Sequence, residues 1–577
     1  MTRTFAFFFL LLALGIASVT ASATASAVES IPHLRKQGTA TQLIVDGKPL
    51  LMLAGELHNS STSGADNMKP IWPRMAALNL NTVIAAVSWE LVEPVEGKFD
   101  FALVDDMLEG ARDNHLRLVL LWFGSWKNGA STYAPSWVKR DLKRYPRVQD
   151  EHGRNLEILS TFGTETRDSD ARGFAALMRH LRKVDGQRHT VVMIQVENEV
   201  GVLNARRDFS ESAEKAFSAP VPSALMDYLV SNRDRLVPEL AEAWQTNGSR
   251  SSGNWETVFG KGTINKEDWK ARSYYPEEIF MSWQYAQYVE HIAAAGKAEY
   301  PLPLYVNAWL KQPGYAWPGA YPSGGPLPQV MDIWRAGAPH IDLIAPDIYM
   351  QDFEWICELY HRSGNPLFIP ETRGGAVGAA RVFWAMGRLD AMGFSPFGID
   401  SAGETNTAPL AQSYLALSEL APLLLEHQGM GTTAGVMVSK EMPNQNVTLG
   451  DYKIVAKLGR GADVAGALLI ETGPDEFVVE GKGLDIFFEA KPNAALPLIG
   501  IDFVDELAAP DAKSSHSFAK ASPAWPNLAV RRRLNGDEVH TSTFDGTGLK
   551  LFGSNVSIQR VRLYRYPAGR AQRGPTD

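Results

Sequence analysis

Val191-Val192-Met193-Ile194-Gln195-Val196-Glu197-Asn198-Glu199 is an apolar run that ends in three polar residues, two of them acids. Consecutive apolar positions without alternation mark a strand covered on both faces, as in a parallel sheet. Seven other stretches read the same way: Leu51–His58, Asn81–Glu90, Arg117–Trp126, Leu302–Trp309, Ile341–Tyr349, Pro366–Thr372 and Phe394–Ser401. Helical patterns lie between them, from Phe101 to Ala111 with Asp100 as N-cap, Ala171 to Lys183, Gln329 to Ala336 and Thr405 to His427. Eight strands alternating with helices predict a (β/α)8 TIM barrel. A doubly wound open sheet is the alternative, but it does not demand eight strands.

Outside the barrel the pattern changes. Leu43 to Leu50 reads as a small hairpin with an Asp46-Gly47 turn. The long segment from Gly201 to Tyr300 reads as the fourth helix plus an insertion over the mouth, with helical stretches near Ser223–Gln245 and Pro276–Ala295. Beyond Gly429, alternation appears in Ala467–Glu471 and Glu476–Glu480, punctuated by Gly473-Pro474 and Asp545-Gly546. That predicts a smaller all-β sandwich domain after the barrel. The expected organisation is residues 1–27 as a signal peptide, 28–428 as the barrel and 429–577 as the sandwich.

The leader reading rests on Arg3, an apolar stretch from Phe5 to Val19 too short to span a bilayer, and the small residues Ala25-Ser26-Ala27. It predicts an exported protein, periplasmic or secreted, with no lipid anchor and no membrane span. The 577 residues are 45% hydrophobic and 21% charged, the balance of a globular protein. A net charge of −9 without a long Lys/Arg run excludes nucleic acid as the main partner. The single cysteine, Cys357, permits no internal disulfide and reads as a buried thiol.

A TIM barrel keeps its chemistry at the C-terminal ends of its strands. Strand four ends in Glu199 and strand seven in Glu371, on opposite sides of the mouth. Paired carboxylates suit glycosidic cleavage: one protonates the leaving oxygen, and the other attacks the anomeric carbon from about 5–5.5 Å away when configuration is retained. Arg373 or nearby donors are expected to keep Glu371 ionised, while its charge raises the pKa of Glu199. The neighbouring strand ends offer Glu56, His58, Trp89, Glu90, Trp126, Lys127, Asn128 and Trp309 as sugar contacts, with Glu197 as a supporting group. The histidines lack metal-ligand spacing, and this chemistry needs neither metal nor cofactor.

Gln195-Val196-Glu197-Asn198-Glu199-Val200-Gly201 resembles the acid/base signature of glycoside hydrolase family 35, the β-galactosidase family. Trp89-Glu90-Leu91-Val92-Glu93-Pro94-Val95-Glu96-Gly97-Lys98-Phe99-Asp100-Phe101 is similar to its second-strand motif, and Ala134-Pro135-Ser136-Trp137 to the loop that follows. The resemblance covers roughly residues 33 to 405 and is strongest to a bacterial subgroup with a C-terminal β-domain. It implies Glu199 as acid/base and Glu371 as nucleophile. It further implies that Asn198 binds the sugar 2-hydroxyl and that Tyr349 orients the nucleophile. The chain departs from many members by carrying Ala86 in place of Tyr and Glu90 in place of Asn. The expectation is an exo-acting retaining β-galactosidase acting on terminal residues of plant-type oligosaccharides, xyloglucan side chains among them. A retaining β-glycosidase for another sugar and a catalytically dead carbohydrate-binding protein are the alternatives.

Overall fold

The computed structural model describes residues 31–263, 268–492, 494–509, 525, 527–541, 546–553 and 555–568. The leader reading of residues 1–27 lies outside them.

The eight apolar runs become eight parallel strands that close on themselves: β1 (Met52–Glu56), β2 (Thr82–Ser88), β3 (Arg117–Phe123), β4 (Val191–Val196), β5 (Leu304–Trp309), β6 (Leu343–Ile348), β7 (Ile369–Thr372) and β8 (Gly393–Pro396). β2 and β3 pair from Thr82 with Arg117 through Ser88 with Phe123, and β8 returns to β1 through Gly393 with Met52. Every residue of β4 is buried, as its unbroken apolar run requires. Met52, Ala54, Ile84, Val119, Leu121, Tyr305 and Phe368 fill the interior. The closed ring rules out the open sheet.

The Asp46-Gly47 hairpin caps the end of the barrel away from the acids. Both turn residues have positive φ, 51° and 75°, as a tight hairpin turn requires. Asp46 accepts from Arg117 Nη2 at 2.8 Å and meets His189 Nδ1 at 2.7 Å, fixing the hairpin to the approaches of β3 and β4.

The insertion differs in detail from its sequence pattern. The stretch Ser223–Gln245 splits into helices Ser223–Ser231 and Pro238–Thr246, because Val237, ahead of a proline, takes an extended conformation (ψ 140°). The fourth crossover helix is Pro276–Glu299, packed along Thr164–Asp185. Cys357 is buried on helix Phe353–His361. No helix among the described residues is long and apolar enough to cross a membrane.

After helix Glu404–His427 come a six-stranded and a five-stranded sheet. They face each other through Val436, Ile454, Leu469, Phe477, Ile486, Leu549 and Val561, a β-sandwich. The outer face of the larger sheet is not free. Leu468, Ile470 and Val478 belong to the same buried cluster as Trp384 and Phe383 of helix Gly375–Leu389, which follows β7. Glycines bring the two backbones into contact: a Cβ on Gly435 would lie 2.4 Å from the Trp384 carbonyl oxygen, and one on Gly466 2.5 Å from that of Ala380. Barrel and sandwich therefore share a hydrophobic cluster beside the sandwich's own core, and we expect them to unfold in a single thermal transition. Gly466→Val should lower stability by about 1–3 kcal/mol through overpacking. Calorimetry showing two independent transitions would refute coupling through that cluster.

Candidate active site

The backbone leaves β4 in an unusual way. Glu197 (φ 63°) and Glu199 (φ 45°) both lie in the left-handed region, which costs a non-glycine residue about 1–2 kcal/mol. The turn is held by hydrogen bonds: Asn198 N–H donates to the Trp126 carbonyl at 3.3 Å and Glu199 N–H to Asn307 Oδ1 at 2.9 Å. Glu197 turns under the loop after β3, where its carboxyl accepts from the N–H groups of Ser125 (3.0 Å) and Trp126 (2.8 Å). Asp170 completes this support by accepting from Trp122 Nε1 and Ser125 Oγ. Gly124 is needed there, since a Cβ would come within 2.6 Å of both acids. The loop so fixed carries Lys127 and Asn128, and the Asn128 amide donates to Glu199 Oε2.

Glu371 lies in β7 beside Asp347 of β6. The Tyr349 hydroxyl donates to Glu371 Oε1, and Asn307 Nδ2 donates to Asp347 Oδ2 at 2.7 Å. One oxygen from each of Glu199, Asp347 and Glu371 lies within 4.8 Å of the others. Three carboxylates this close are also a possible donor set for a hard cation, but Lys127, buried beside them, opposes a second positive charge.

Burial dominates the electrostatics of the mouth. It pushes Glu199 up to about 7, with the charge of Glu371 adding to the effect and Lys127 opposing it. Glu56 and Asp347 are raised well above the carboxylate range, again by burial first and then by Glu371. Burial raises Glu371 as well, against the pull of the Lys127 ammonium and the Tyr349 hydroxyl. Glu371 is thus the carboxyl whose charged form both the Lys127 ammonium and the Tyr349 hydroxyl favour.

The structure brings Glu56, Asn128, Asn198, Glu199, Tyr349 and Glu371 together around the mouth. Asn198 is fully buried, yet neither its amide nitrogen nor its amide oxygen has a hydrogen-bond partner. Trp309 ends β5 beside Asp347 and is only partly buried. His58 is half-exposed at the rim, stacked on Phe397 with Nδ1 3.1 Å from Asp400 Oδ1.

Other expected contacts are corrected. Trp89 and Trp126 have no exposed face: their indole N–H groups are used by Glu93 (2.8 Å) and the Leu159 carbonyl (3.0 Å), and Trp126 packs on Tyr285 and Tyr288. Both anchor loops. Glu90 pairs with Lys139 at 3.1 Å. Arg373 donates to the Tyr349 carbonyl, so Lys127 and Tyr349 take the role expected of it. The sequence reading missed Asn307, which bridges Glu199 and Asp347, and gave Asp347 no role. Their only signal was position, at the ends of β5 and β6.

The Glyco_hydro_42 family model, described as Beta-galactosidase, matches residues 62–352, half of the chain. A model for a domain of unknown function, DUF5597, matches residues 410–544. A β-galactosidase of Xanthomonas manihotis is 32% identical over 199 residues, 33% of this chain and 30% of that protein, so the chain spans less than a third of that relative's length. Among solved structures, the β-galactosidase of Marinomonas ef1 is similar at 14% identity and a TM-score of 0.42, over 65% of this chain and 60% of that one. That of Bacillus circulans sp. alkalophilus is similar at 15% and 0.43, over 65% and 57%. The matching family model is thus 42 where the motifs around Glu199 pointed to 35, and the common ground is a β-galactosidase-type glycoside hydrolase. The chain belongs to the β-galactosidase family that the Glyco_hydro_42 model describes.

Proposed function

We propose that this protein is an exo-acting retaining β-galactosidase that removes terminal β-galactosyl residues from plant-type oligo- or polysaccharides. The observation that carries the reading is the pair Glu199 and Glu371, with nearest oxygens within 4.8 Å and unequal hold on a proton. Oxygens this close are compatible with the roughly 5–5.5 Å between the carboxyl groups of retaining enzymes. Galactose as the sugar is supported by the family match and by the named relative. The plant-type substrate rests on the motif resemblance, and export on residues 1–27.

In this mechanism Glu371 attacks the anomeric carbon while protonated Glu199 gives its proton to the departing oxygen. The glycosidic bond breaks, and the galactosyl group is held as an ester of Glu371. Glu199, now ionised, takes a proton from water, whose oxygen displaces Glu371 and restores the original configuration. Tyr349 keeps the nucleophile aimed. Asn198, buried with its amide unpartnered, is assigned the sugar 2-hydroxyl by resemblance alone, a contact that strengthens as charge develops. The sandwich acts as a brace, since its sheet buries the helix behind β7.

Two measurements test the reading. Glu371→Ala should lower turnover of an aryl β-galactoside by about four orders of magnitude or more. External azide should restore it, with an inverted galactosyl azide as product seen by NMR; undiminished activity in the variant sinks the assignment. Lys127→Met removes the cation that favours the ionised form of both glutamates. The acid limb, set by Glu371, and the alkaline limb, set by Glu199, should both move to higher pH by about one unit. Lys127→Arg should keep the profile in place, and unmoved limbs in Lys127→Met would show that the lysine does not govern the pair.

A further inference from the structure

A cavity opens beside the mouth between the chain that follows β1, the end of β2 and the helix Ala102–Asp113. Its volume is about 440 Å3, inside the range of small-molecule pockets, about 300–1,000 Å3. Asn59, Ser60, Ala86, Glu90, Leu103 and Tyr133 are among the residues that line it.

It adjoins the catalytic centre through a short series of contacts. The Tyr133 ring packs edge-on against Phe123, with centroids 5.1 Å apart, and the Lys127 ammonium lies 5.3 Å from the centroid of that same ring. Lys127 acts on Glu56, Glu199 and Glu371. Asn59 stands three residues beyond Glu56. None of the catalytic steps described above uses this space.

The lining defines the chemistry of an occupant. Val92, Pro94 and Leu103 form an apolar wall suited to the C–H face of a sugar ring. The rim is polar: the Tyr133 hydroxyl and Ser60 Oγ lie 3.1 Å apart, and Asn59 Oδ1 is buried without a hydrogen-bond partner. An orphaned buried acceptor calls for a donor, which a hydroxyl supplies. The charged residues among those that line it are acids, Glu90, paired with Lys139 at 3.1 Å, and Asp100, which accepts from the Ala102 N–H, so the lining offers no cation to an anionic ligand.

We propose that this cavity receives a second, neutral sugar unit carried by the galactosyl residue being cleaved, so that, beyond the exo action on bare ends proposed above, the enzyme also releases galactosyl ends that bear a further sugar. The proposal rests on the glycosidase reading above.

The test uses 4-nitrophenyl β-galactoside and 4-nitrophenyl disaccharides whose galactose carries a neutral sugar at O2, O3, O4 or O6. Two variants fill the cavity from its outer wall, Leu103→Trp and Leu91→Trp; Leu91 is 40% exposed, so a larger residue there leaves the core intact. The full-length enzyme should cleave at least one extended glycoside and release the disaccharide whole. Either variant should lower kcat/KM on that substrate about tenfold or more while changing the simple galactoside by less than about twofold. Cleavage of the simple galactoside alone, or equal losses on both substrates in both variants, overturns the proposal. Loss of turnover on every galactoside would instead refute the function. In that case saturation-transfer NMR with the free disaccharides decides the cavity: contact with the second sugar in the wild type and not in Leu103→Trp supports it, and no such contact overturns it.

Discussion

Carboxyl groups withdrawn from water and packed within reach of one another repel, and each resists ionisation. Everything at the top of this barrel is arranged around that constraint. Glu56, Glu199, Asp347 and Glu371 are all buried, with Lys127 the cation set among them. One lysine cannot hold four carboxylates ionised at once. The protons are therefore shared out unequally, and a glycosidase needs that inequality: a donor and a nucleophile made from the same side-chain type.

Holding such a set in place takes a second tier of interactions. Glu197 and Asp170 fix the loop that presents Lys127 and Asn128, and Asn307 ties the backbone of Glu199 to the carboxyl of Asp347. The left-handed turns at Glu197 and Glu199 are tolerated because these bonds over-determine them. Farther out, the sandwich presses on the helix behind β7, the strand that carries Glu371. The support runs from the larger sheet of the sandwich, through that helix, to the strand that carries Glu371.

The eight strands were legible because a strand buried on both faces has no alternative to an unbroken apolar run, and the polar residue that ends each run marks the top of the barrel. Glu199 rested on the seven-residue motif Gln195–Gly201 and Glu371 on its strand-end position and a shorter match, and the structure brings their carboxyls together. What strand-end position does not reveal is which way a side chain turns once the chain has left the strand. Trp89 and Trp126 carry the composition of a sugar platform, yet the turns after β2 and β3 fold them inward. Glu90 and Arg373 found other partners for the same reason. Asn307 acts across strands, on a backbone amide 108 residues away, and a chain read in order offers no sign of such a bridge. The two-helix break in the insertion was local and legible in principle, written in Pro238.

In the role proposed for it, Asn198 gives the pocket a kind of selectivity that shape alone does not. Its amide is desolvated before any sugar arrives, and a buried polar group left unpaired costs about 1–3 kcal/mol. A sugar with a hydroxyl facing that amide relieves the penalty on binding. A deoxygenated analogue of nearly the same size fits the space and relieves nothing, so the empty amide discriminates against a missing atom far more sharply than an apolar wall discriminates against an added one.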